Sequence, residues 1–185
     1  MNRNKKLNIS IKIGILSAIG VILMLFQIPV VPAFPWLQID LSDIPALIGG
    51  FAFGPLAGVI IEALKNILHI LVSGSSTGGI GEIANFLIGA SFVWPASYIY
   101  NREKTKKNAI IGMIVGTISI IIMGILANIY ILLPLFHISF KGKALLTYIL
   151  VGIIPMNLLK SVLISVITLI LYNKLAVAIF KGVKR

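Results

Sequence analysis

The chain of 185 residues contains no cysteine, only five acidic residues and two histidines. The lack of cysteine excludes a disulfide framework, a thiol nucleophile and a cysteine-ligated metal. The scarcity of carboxylates and imidazoles leaves little for acid–base chemistry. Charged residues make up 11% of the chain, whereas hydrophobic residues make up 58%. This balance does not describe a water-soluble globular domain and indicates an all-α integral membrane protein.

Motifs of common enzyme classes are also absent. The segment Lys141-Gly142-Lys143 lacks the first glycine and the hydroxyl residue of a phosphate-binding loop, so the chain cannot hydrolyse ATP alone. The sequence contains no metalloprotease His pair, no serine nucleophile elbow and no carboxylate cluster for magnesium. We therefore expect no enzymatic activity, no metal site and no cofactor.

Sixteen basic residues give a formal net charge of +11, but their positions indicate membrane topology rather than a nucleic-acid partner. Twelve of them fall into three clusters, at the start, middle and end of the chain: Arg3, Lys5, Lys6 and Lys12; Arg102, Lys104, Lys106 and Lys107; Lys174, Lys181, Lys184 and Arg185. Basic flanks mark the cytoplasmic side of a membrane. Both termini are therefore predicted to be cytoplasmic, and the first apolar run is expected to stay in the protein rather than be cleaved as a signal peptide.

An even number of crossings must separate successive cytoplasmic clusters, which sets the number of helices. The hydrophobic block at 44–72 is too long for one comfortable span and is interrupted by Gly54-Pro55, so it is divided there. Its first half is too short to cross as a regular helix and should be shielded by its neighbours. The result is a single domain, 1–185, with six transmembrane helices at about 8–28, 44–54, 55–72, 81–101, 109–136 and 145–173.

The outer loops then fall at 29–43, 73–80 and 137–144. The first contains three prolines, which preclude a regular helix, and its residues 37–41 alternate in polarity like a short extended segment. The second is rich in Gly, Ser and Thr. A long structured loop is more often functional than decorative, so the first outer loop is predicted to be structured and functional.

Two lysines, Lys65 and Lys160, lie inside hydrophobic segments. A charge at membrane depth costs about 2.5–3.5 kcal/mol, so each should face the bundle interior and have a partner. Lys65 shares one helical face with Glu62, Asn66 and His69. That face either contributes to a binding site or contains a Glu62–Lys65 ion pair that only locks the helix into the bundle.

Three polar side chains on the last two helices, Asn128, Asn157 and Lys160, are predicted to form a ligand pocket. The alternative is that the asparagines only join helices by hydrogen bonds. Asn85 opens the fourth helix beside the glycine-rich loop and is a further candidate for ligand binding. Its neighbour Glu82 is expected to interact favourably with the positive end of that helix.

Helix 1 has small residues at four-residue spacing just after its basic start: Ser10, Gly14 and Ala18. Such a stripe lets another helix approach closely. It serves either internal packing or the docking of a partner.

Several segments together resemble the riboflavin-specific S components (RibU type) of energy-coupling factor (ECF) transporters. They read WLQIDLSDIPALI at 36–48, FGP at 53–55, EALKNILH at 62–69, GSSTG at 74–78 and GEIANF at 81–86. The likeness covers nearly the whole chain, and its specific part runs from residue 40 to 86.

The resemblance implies a substrate-binding subunit of the bacterial plasma membrane that captures riboflavin from outside. Its implied partners are a transmembrane coupling subunit and two cytoplasmic ATPases. It places Asp40, Leu41, Thr77 and Gly78 near the ligand, beside the amides and the lysine of the last two helices. Together with Lys65 and Asn85, these are the predicted substrate-binding residues. The family's coupling surface includes small residues on helix 1, usually two alanines, where this chain has Gly14 and Ala18.

Two alternatives stay open at this point. The same fold could bind FMN or another vitamin, although the outer loops offer only Lys141 and Lys143 as mobile cations for a phosphate. The protein could also be a structural membrane protein without a transport role, in which the buried polar groups only hold helices together.

Overall fold

The chain folds into a bundle of apolar helices, as seen in a computed structural model that describes residues 3–180. Helices satisfy the hydrogen bonds of the backbone within each segment, as a hydrocarbon environment requires. The elements in chain order are α1 (Arg3–Met24), β1 (Ile28–Pro29), β2 (Gln38–Ile39), α2 (Asp43–Phe53), α3 (Pro55–Ser73), α4 (Ile80–Arg102), α5 (Lys106–Ala127), the π-helical segment π1 (Asn128–Leu132), α6 (Leu133–Leu135), α7 (Lys143–Thr147), the π-helical segment π2 (Tyr148–Ile153) and α8 (Ile154–Phe180).

Within the described residues, five helical spans are long and apolar enough to cross a membrane: Lys6–Met24, Pro55–Ser73, Ile80–Arg102, Lys106–Leu135 and Lys143–Leu171. Large apolar side chains such as Ile15, Ile118 and Val162 are exposed on the outside of the bundle. Lipid would cover them in a bilayer. Of the six transmembrane helices predicted, five thus have the length of a span, and α2, with 11 residues, does not.

Helix α2 is enclosed by the bundle, as its length predicts. Its first nine residues, from Asp43 to Phe51, are buried. A Cβ added to Gly58 of α3 would lie 3.0 Å from the Ala46 carbonyl oxygen, so the two helices need glycine to pack this closely. Helix α2 ends at Gly54, whose φ of 104° disfavours any residue with a side chain. Pro55 then begins α3, where a missing N–H group is tolerated.

The first outer loop folds back on itself as a small antiparallel hairpin, with Ile28 paired to Ile39 and Pro29 to Gln38. The predicted extended segment at 37–41 therefore contributes strand β2. Leu37 and Ile39 are buried in a cluster of apolar side chains that includes Tyr148 and Ile153. This packing fixes the loop against the last two spans and makes it a structured cover over one end of the bundle.

Each π-helical segment is followed by a proline, Pro134 or Pro155. Because proline has no N–H group, the carbonyl four residues earlier has no α-helical donor. In the turn before each proline, hydrogen bonds span five residues, from Leu133 N–H to the Asn128 carbonyl and from Ile154 N–H to the Ile149 carbonyl. Such π-bulges are rare and occur frequently at functional sites. Asn128 is the first residue of π1, and Tyr148 is the first residue of π2.

The helix bounds differ from the predicted ones mainly at the two ends of the chain. Helix α1 begins at Arg3 rather than residue 8 and ends at Met24 rather than 28, because the chain turns into β1 at Ile28. Helix α8 continues to Phe180, beyond the predicted end at 173. Of the C-terminal basic cluster, Lys181, Lys184 and Arg185 lie outside the described residues.

Candidate functional site

A cavity of ≈ 430 Å³ lies between the first two outer loops and the last two spans. Its volume falls within the range of about 300–1,000 Å³ that is typical of small-molecule sites. Its wall combines polar groups with apolar surface. The residues that line it include Trp36, Leu37, Asp40, His69, Thr77, Glu82, Asn85, Ile88, Asn128, Leu132, Met156, Asn157 and Lys160. Six of the nine predicted substrate-binding residues therefore meet in one cavity: Asp40, Thr77, Asn85, Asn128, Asn157 and Lys160.

The Asn128 side chain is 1% exposed, and its amide is held by neighbours on both sides. Its Nδ2 donates to the Gly124 carbonyl at 2.8 Å. Its Oδ1 accepts a 2.6 Å hydrogen bond from the Tyr148 hydroxyl. One N–H of the amide then remains for a group inside the cavity.

Asn157 faces the cavity from α8 with an acceptor that has no partner. Its Nδ2 donates to the Ile153 carbonyl at 2.9 Å, whereas its buried Oδ1 has no hydrogen-bond partner among the described residues. Gly124 of α5 lies directly beside this amide, because a Cβ added there would come within 2.6 Å of Asn157 Nδ2. A buried polar atom without a partner is costly, so it indicates a place for a ligand group.

Lys160 has carboxylate partners on the first outer loop and on α2. Its Nζ lies 3.0 Å from Asp43 Oδ2 and 3.4 Å from Asp40 Oδ2. Asp40 also accepts a 2.8 Å hydrogen bond from the Ser42 N–H group, which ties the loop to the start of α2. The predicted need of Lys160 for a partner is thereby met, and its ammonium group stays at the wall of the cavity.

Lys65 was predicted as a substrate-binding residue, but its ammonium group lies behind the cavity wall rather than in it. It pairs with Asp43, with Glu62 Oε2 at 2.8 Å and with Ser42 Oγ at 2.7 Å. These side chains are fully buried. The Glu62–Lys65 ion pair is therefore present, and Asp43 completes it from α2, 22 residues earlier in the chain.

Leu41 and Gly78, also predicted near the ligand, do not line the cavity. Leu41 packs against the main apolar core of the bundle. Gly78 turns the second outer loop with a φ of 64°, and the space beside its Cα is open. These two residues shape the loops, and the neighbouring Asp40 and Thr77 reach the cavity.

The second outer loop is closed by hydrogen bonds to Glu82, in the first turn of α4. Glu82 Oε2 accepts from Ser75 Oγ at 2.7 Å and from Thr77 Oγ1 at 3.3 Å, while Oε1 lies 3.4 Å from His69 Nδ1. Glu82 is thus a structural part of the loop as well as a first-turn carboxylate. Asn85 Oδ1, one turn further, has no hydrogen-bond partner among the described residues.

Trp36 and Tyr148 were missed as site residues. An aromatic residue in an outer loop or near a helix end is typically an interfacial anchor, so the residue type alone gives no signal of ligand contact. Trp36 instead lines the cavity and donates from its indole nitrogen to the Tyr148 hydroxyl at 3.1 Å. Tyr148 is twenty residues from Asn128, so no helical spacing relates the two in the sequence.

The small-residue stripe on α1 lies on the outside of the bundle. Ser10, Gly14 and Ala18 are all exposed, and a Cβ added to Gly14 would meet no atom within 4 Å. Internal packing therefore does not account for the stripe within the described part of the chain. The surface is free to receive another helix.

These features are those of a membrane-embedded binding subunit, and comparison with known proteins identifies its class. The family described as "ECF transporter, substrate-specific component" matches residues 7–172. The chain belongs to this family, which confirms the resemblance inferred from its sequence. It is a multi-pass membrane protein and a transporter component rather than an enzyme.

The chain is similar to named riboflavin transporters of two bacteria. The chain is 38% identical over 185 residues to the riboflavin transporter RibU of Staphylococcus aureus (strain TCH60), covering 95% of this chain and 97% of the relative. It is 34% identical over 170 residues to the riboflavin transporter FmnP of Bacillus subtilis (strain 168), covering 88% and 89%. A solved structure described as the S component of a bacterial ECF transporter matches all of both chains with 38% identity and a TM-score of 0.79.

Proposed function

We propose that this protein is the riboflavin-binding S component of an ECF transporter, which captures the vitamin from outside for ATP-driven uptake by partner subunits. The observation that carries the proposal is the buried pair of amides beside Lys160 in the cavity wall, with Asn157 Oδ1 lacking a partner. The names of the relatives support the choice of riboflavin.

The amides and the lysine suit the polar edge of the isoalloxazine ring. That edge offers carbonyl and ring-nitrogen acceptors and one N–H donor. Asn157 Oδ1 is free to accept from the ring N–H, and the remaining N–H of Asn128 is free to donate to a neighbouring ring carbonyl. Lys160 supplies a further donor. A site that pairs these groups discriminates strongly against analogues that lack them, because buried polar atoms would then stay unpaired.

The rest of the cavity suits the remainder of the ligand. Leu132 and Met156 provide apolar wall for the flat ring system. Asp40, Thr77 and Asn85 provide donors and acceptors for the ribityl hydroxyl groups, with the loops shaped by Leu41 and Gly78. Lys65 acts indirectly in this proposal, because it holds Asp43, which in turn holds Lys160.

Binding of riboflavin to the purified protein in detergent tests the assignment directly, through quenching of flavin fluorescence. We expect affinity much tighter than micromolar, and micromolar or weaker binding would overturn the proposal. Substituting Asn128 or Asn157 by Leu should abolish binding while the ligand-free protein keeps nearly the same melting temperature. Lower stability at every ligand concentration would instead indicate that the asparagines only hold helices together.

The exposed stripe Ser10, Gly14 and Ala18 is proposed as the docking surface for the transmembrane coupling subunit, with both termini in the cytoplasm near two ATPase subunits. The free space beside Gly14 supports this surface. Gly14→Leu should reduce riboflavin uptake in cells without changing the affinity of the isolated protein. Uptake should also cease in cells that lack the ATPase and coupling subunits, and undiminished uptake there would contradict the transport mechanism.

The charge of the cavity disfavours FMN as the main ligand. Among the described residues that line it, Asp40 and Glu82 are acidic, and Lys160 already pairs with two carboxylates. A phosphate group would meet no free cation there. Competition between riboflavin and FMN for the same site would show the preference.

A further inference from the structure

A chain of three hydrogen bonds joins the first outer loop to an amide in the cavity wall. The indole nitrogen of Trp36 lies 3.1 Å from the Tyr148 hydroxyl oxygen, and that oxygen lies 2.6 Å from Asn128 Oδ1. On its other side, Asn128 Nδ2 lies 2.8 Å from the Gly124 carbonyl oxygen. The chain therefore begins on the loop that covers the cavity and ends on the backbone of α5.

The chemistry of the end groups sets the direction of every bond in this chain. An indole N–H is only a donor, so the Tyr148 oxygen must accept from Trp36. The single hydroxyl proton of Tyr148 is then available for Asn128 Oδ1. A backbone carbonyl is only an acceptor, so Asn128 must turn its NH₂ group toward Gly124. The amide is thereby held in one of its two orientations from both sides.

Packing holds the tyrosine hydroxyl where it is needed. Tyr148 is fully buried, and its ring contacts Phe34 at a centroid distance of 4.8 Å and Phe140 at 5.2 Å. Tyr148 is the first residue of π2 and Asn128 is the first residue of π1, so the hydrogen bond between their side chains joins the two π-helical segments. Tyr148 is not among the residues that line the cavity, whereas Trp36 and Asn128 are.

We propose that Tyr148 is a positioning residue, which keeps the Asn128 amide turned so that an N–H group faces the ligand and which connects this orientation to the first outer loop through Trp36. The proposal rests on the proposed function for its ligand, an acceptor atom on a flat heterocycle. With the tyrosine hydroxyl removed, Asn128 Oδ1 loses its donor, and only the hydrogen bond to the Gly124 carbonyl still favours this orientation of the amide. The N–H group is then held less firmly toward the ligand, and the site binds the ligand more weakly.

Affinity measurements on Tyr148→Phe test this role, because the substitution removes the hydroxyl and keeps the ring. We expect riboflavin affinity to fall by about 10-fold, the usual effect of losing one buried hydrogen bond. Tyr130→Phe is the matched control: it makes the same chemical change on π1, but Tyr130 is 73% exposed on the outside of the bundle. The riboflavin affinity of the Tyr130→Phe protein should equal that of the wild type.

A double-mutant cycle separates positioning from simple packing. If Tyr148 acts through Asn128, then adding Tyr148→Phe to Asn128→Ala should cause no further loss of affinity. Trp36→Phe, which removes the indole donor, should weaken binding in the wild type and much less in the Tyr148→Phe protein. Equal losses of affinity in both backgrounds would overturn the proposal, and so would unchanged affinity in Tyr148→Phe.

A measurement on the ligand-free protein keeps this proposal separate from the choice of ligand. With asparagine labelled by ¹⁵N, the side-chain NH₂ resonance of Asn128 is identified by its loss in Asn128→Ala. Tyr148→Phe should shift that resonance, and Tyr130→Phe should leave it unchanged. An unshifted resonance would overturn the positioning role. If the wild type fails to bind riboflavin, the proposed ligand is wrong, and the amide resonance still decides the role of Tyr148.

Discussion

The buried charges behind the cavity allow a prediction in which a second substitution restores the stability that the first one removes. Lys65 lies between two carboxylates, Asp43 and Glu62, and all three side chains are excluded from solvent. Lys65→Met keeps the length of the side chain and removes its charge. Glu62 then has no cation in contact among the described residues, whereas Asp43 keeps Lys160 at 3.0 Å.

The expected size of the effect follows from this difference between the two carboxylates. Removing one partner of a buried ion pair costs about 3–5 kcal/mol, because it leaves the other charge unpaired. Adding Glu62→Gln to Lys65→Met removes that unpaired charge. Replacing a whole buried pair by uncharged groups is often nearly neutral, so the double variant should recover most of the lost free energy of unfolding.

Thermal unfolding of the detergent-solubilised protein, without ligand, measures the order of stability. Wild type should be the most stable, the double variant next, and Lys65→Met the least. Riboflavin affinity of the double variant should stay within a few-fold of wild type, because Lys65 lies behind the wall. A double variant no more stable than Lys65→Met would refute the ion-pair reasoning. A double variant that is stable but does not bind riboflavin would indicate that Lys65 contacts the ligand directly.

Three further predictions concern a close contact in the site, a charge in the cavity wall and a strained backbone position. Gly124→Ala should lower riboflavin affinity about 10-fold or more, because its Cβ would displace the Asn157 amide, whereas Gly14→Ala, with open space beside it, should bind like wild type in the same fluorescence titration. Glu82→Gln should raise the affinity for FMN relative to riboflavin in competition binding, because it removes a carboxylate from the cavity wall. Gly54→Ala should lower the free energy of unfolding by about 1–3 kcal/mol in a denaturation series, because the φ of 104° strains a residue with a side chain.

Features of the fold that depend on the local pattern of residues could be predicted from the sequence alone. The length of the apolar runs predicted the spans, and Gly54-Pro55 predicted the end of a short shielded helix. The cost of a charge in lipid predicted that Lys160 has a partner. The identity of that partner could not be predicted, because Asp40 and Lys160 are 120 residues apart and only the tertiary packing brings them together.

Two aspects of the site have no local signal in the sequence. The place of Lys65 behind the wall depends on Asp43, which reaches it from a different helix. Its spacing to Glu62 and His69 predicts a shared face but not whether that face meets the cavity. The role of Tyr148 depends in the same way on a contact across two helices, formed where both carry a π-bulge.

The polarity of the site follows from the shortness of α2. Because this helix is only 11 residues long and enclosed, its N-terminus lies inside the bundle, where its first N–H groups and the positive end of its dipole favour negative charge. Asp43 sits in that first turn, and Asp40 caps the preceding turn through the Ser42 N–H group. Two carboxylates at this depth then require cations, which Lys65 and Lys160 supply. Lys160 is therefore held at the cavity wall by carboxylates that lie at the N-terminus of a helix too short to span the membrane by itself.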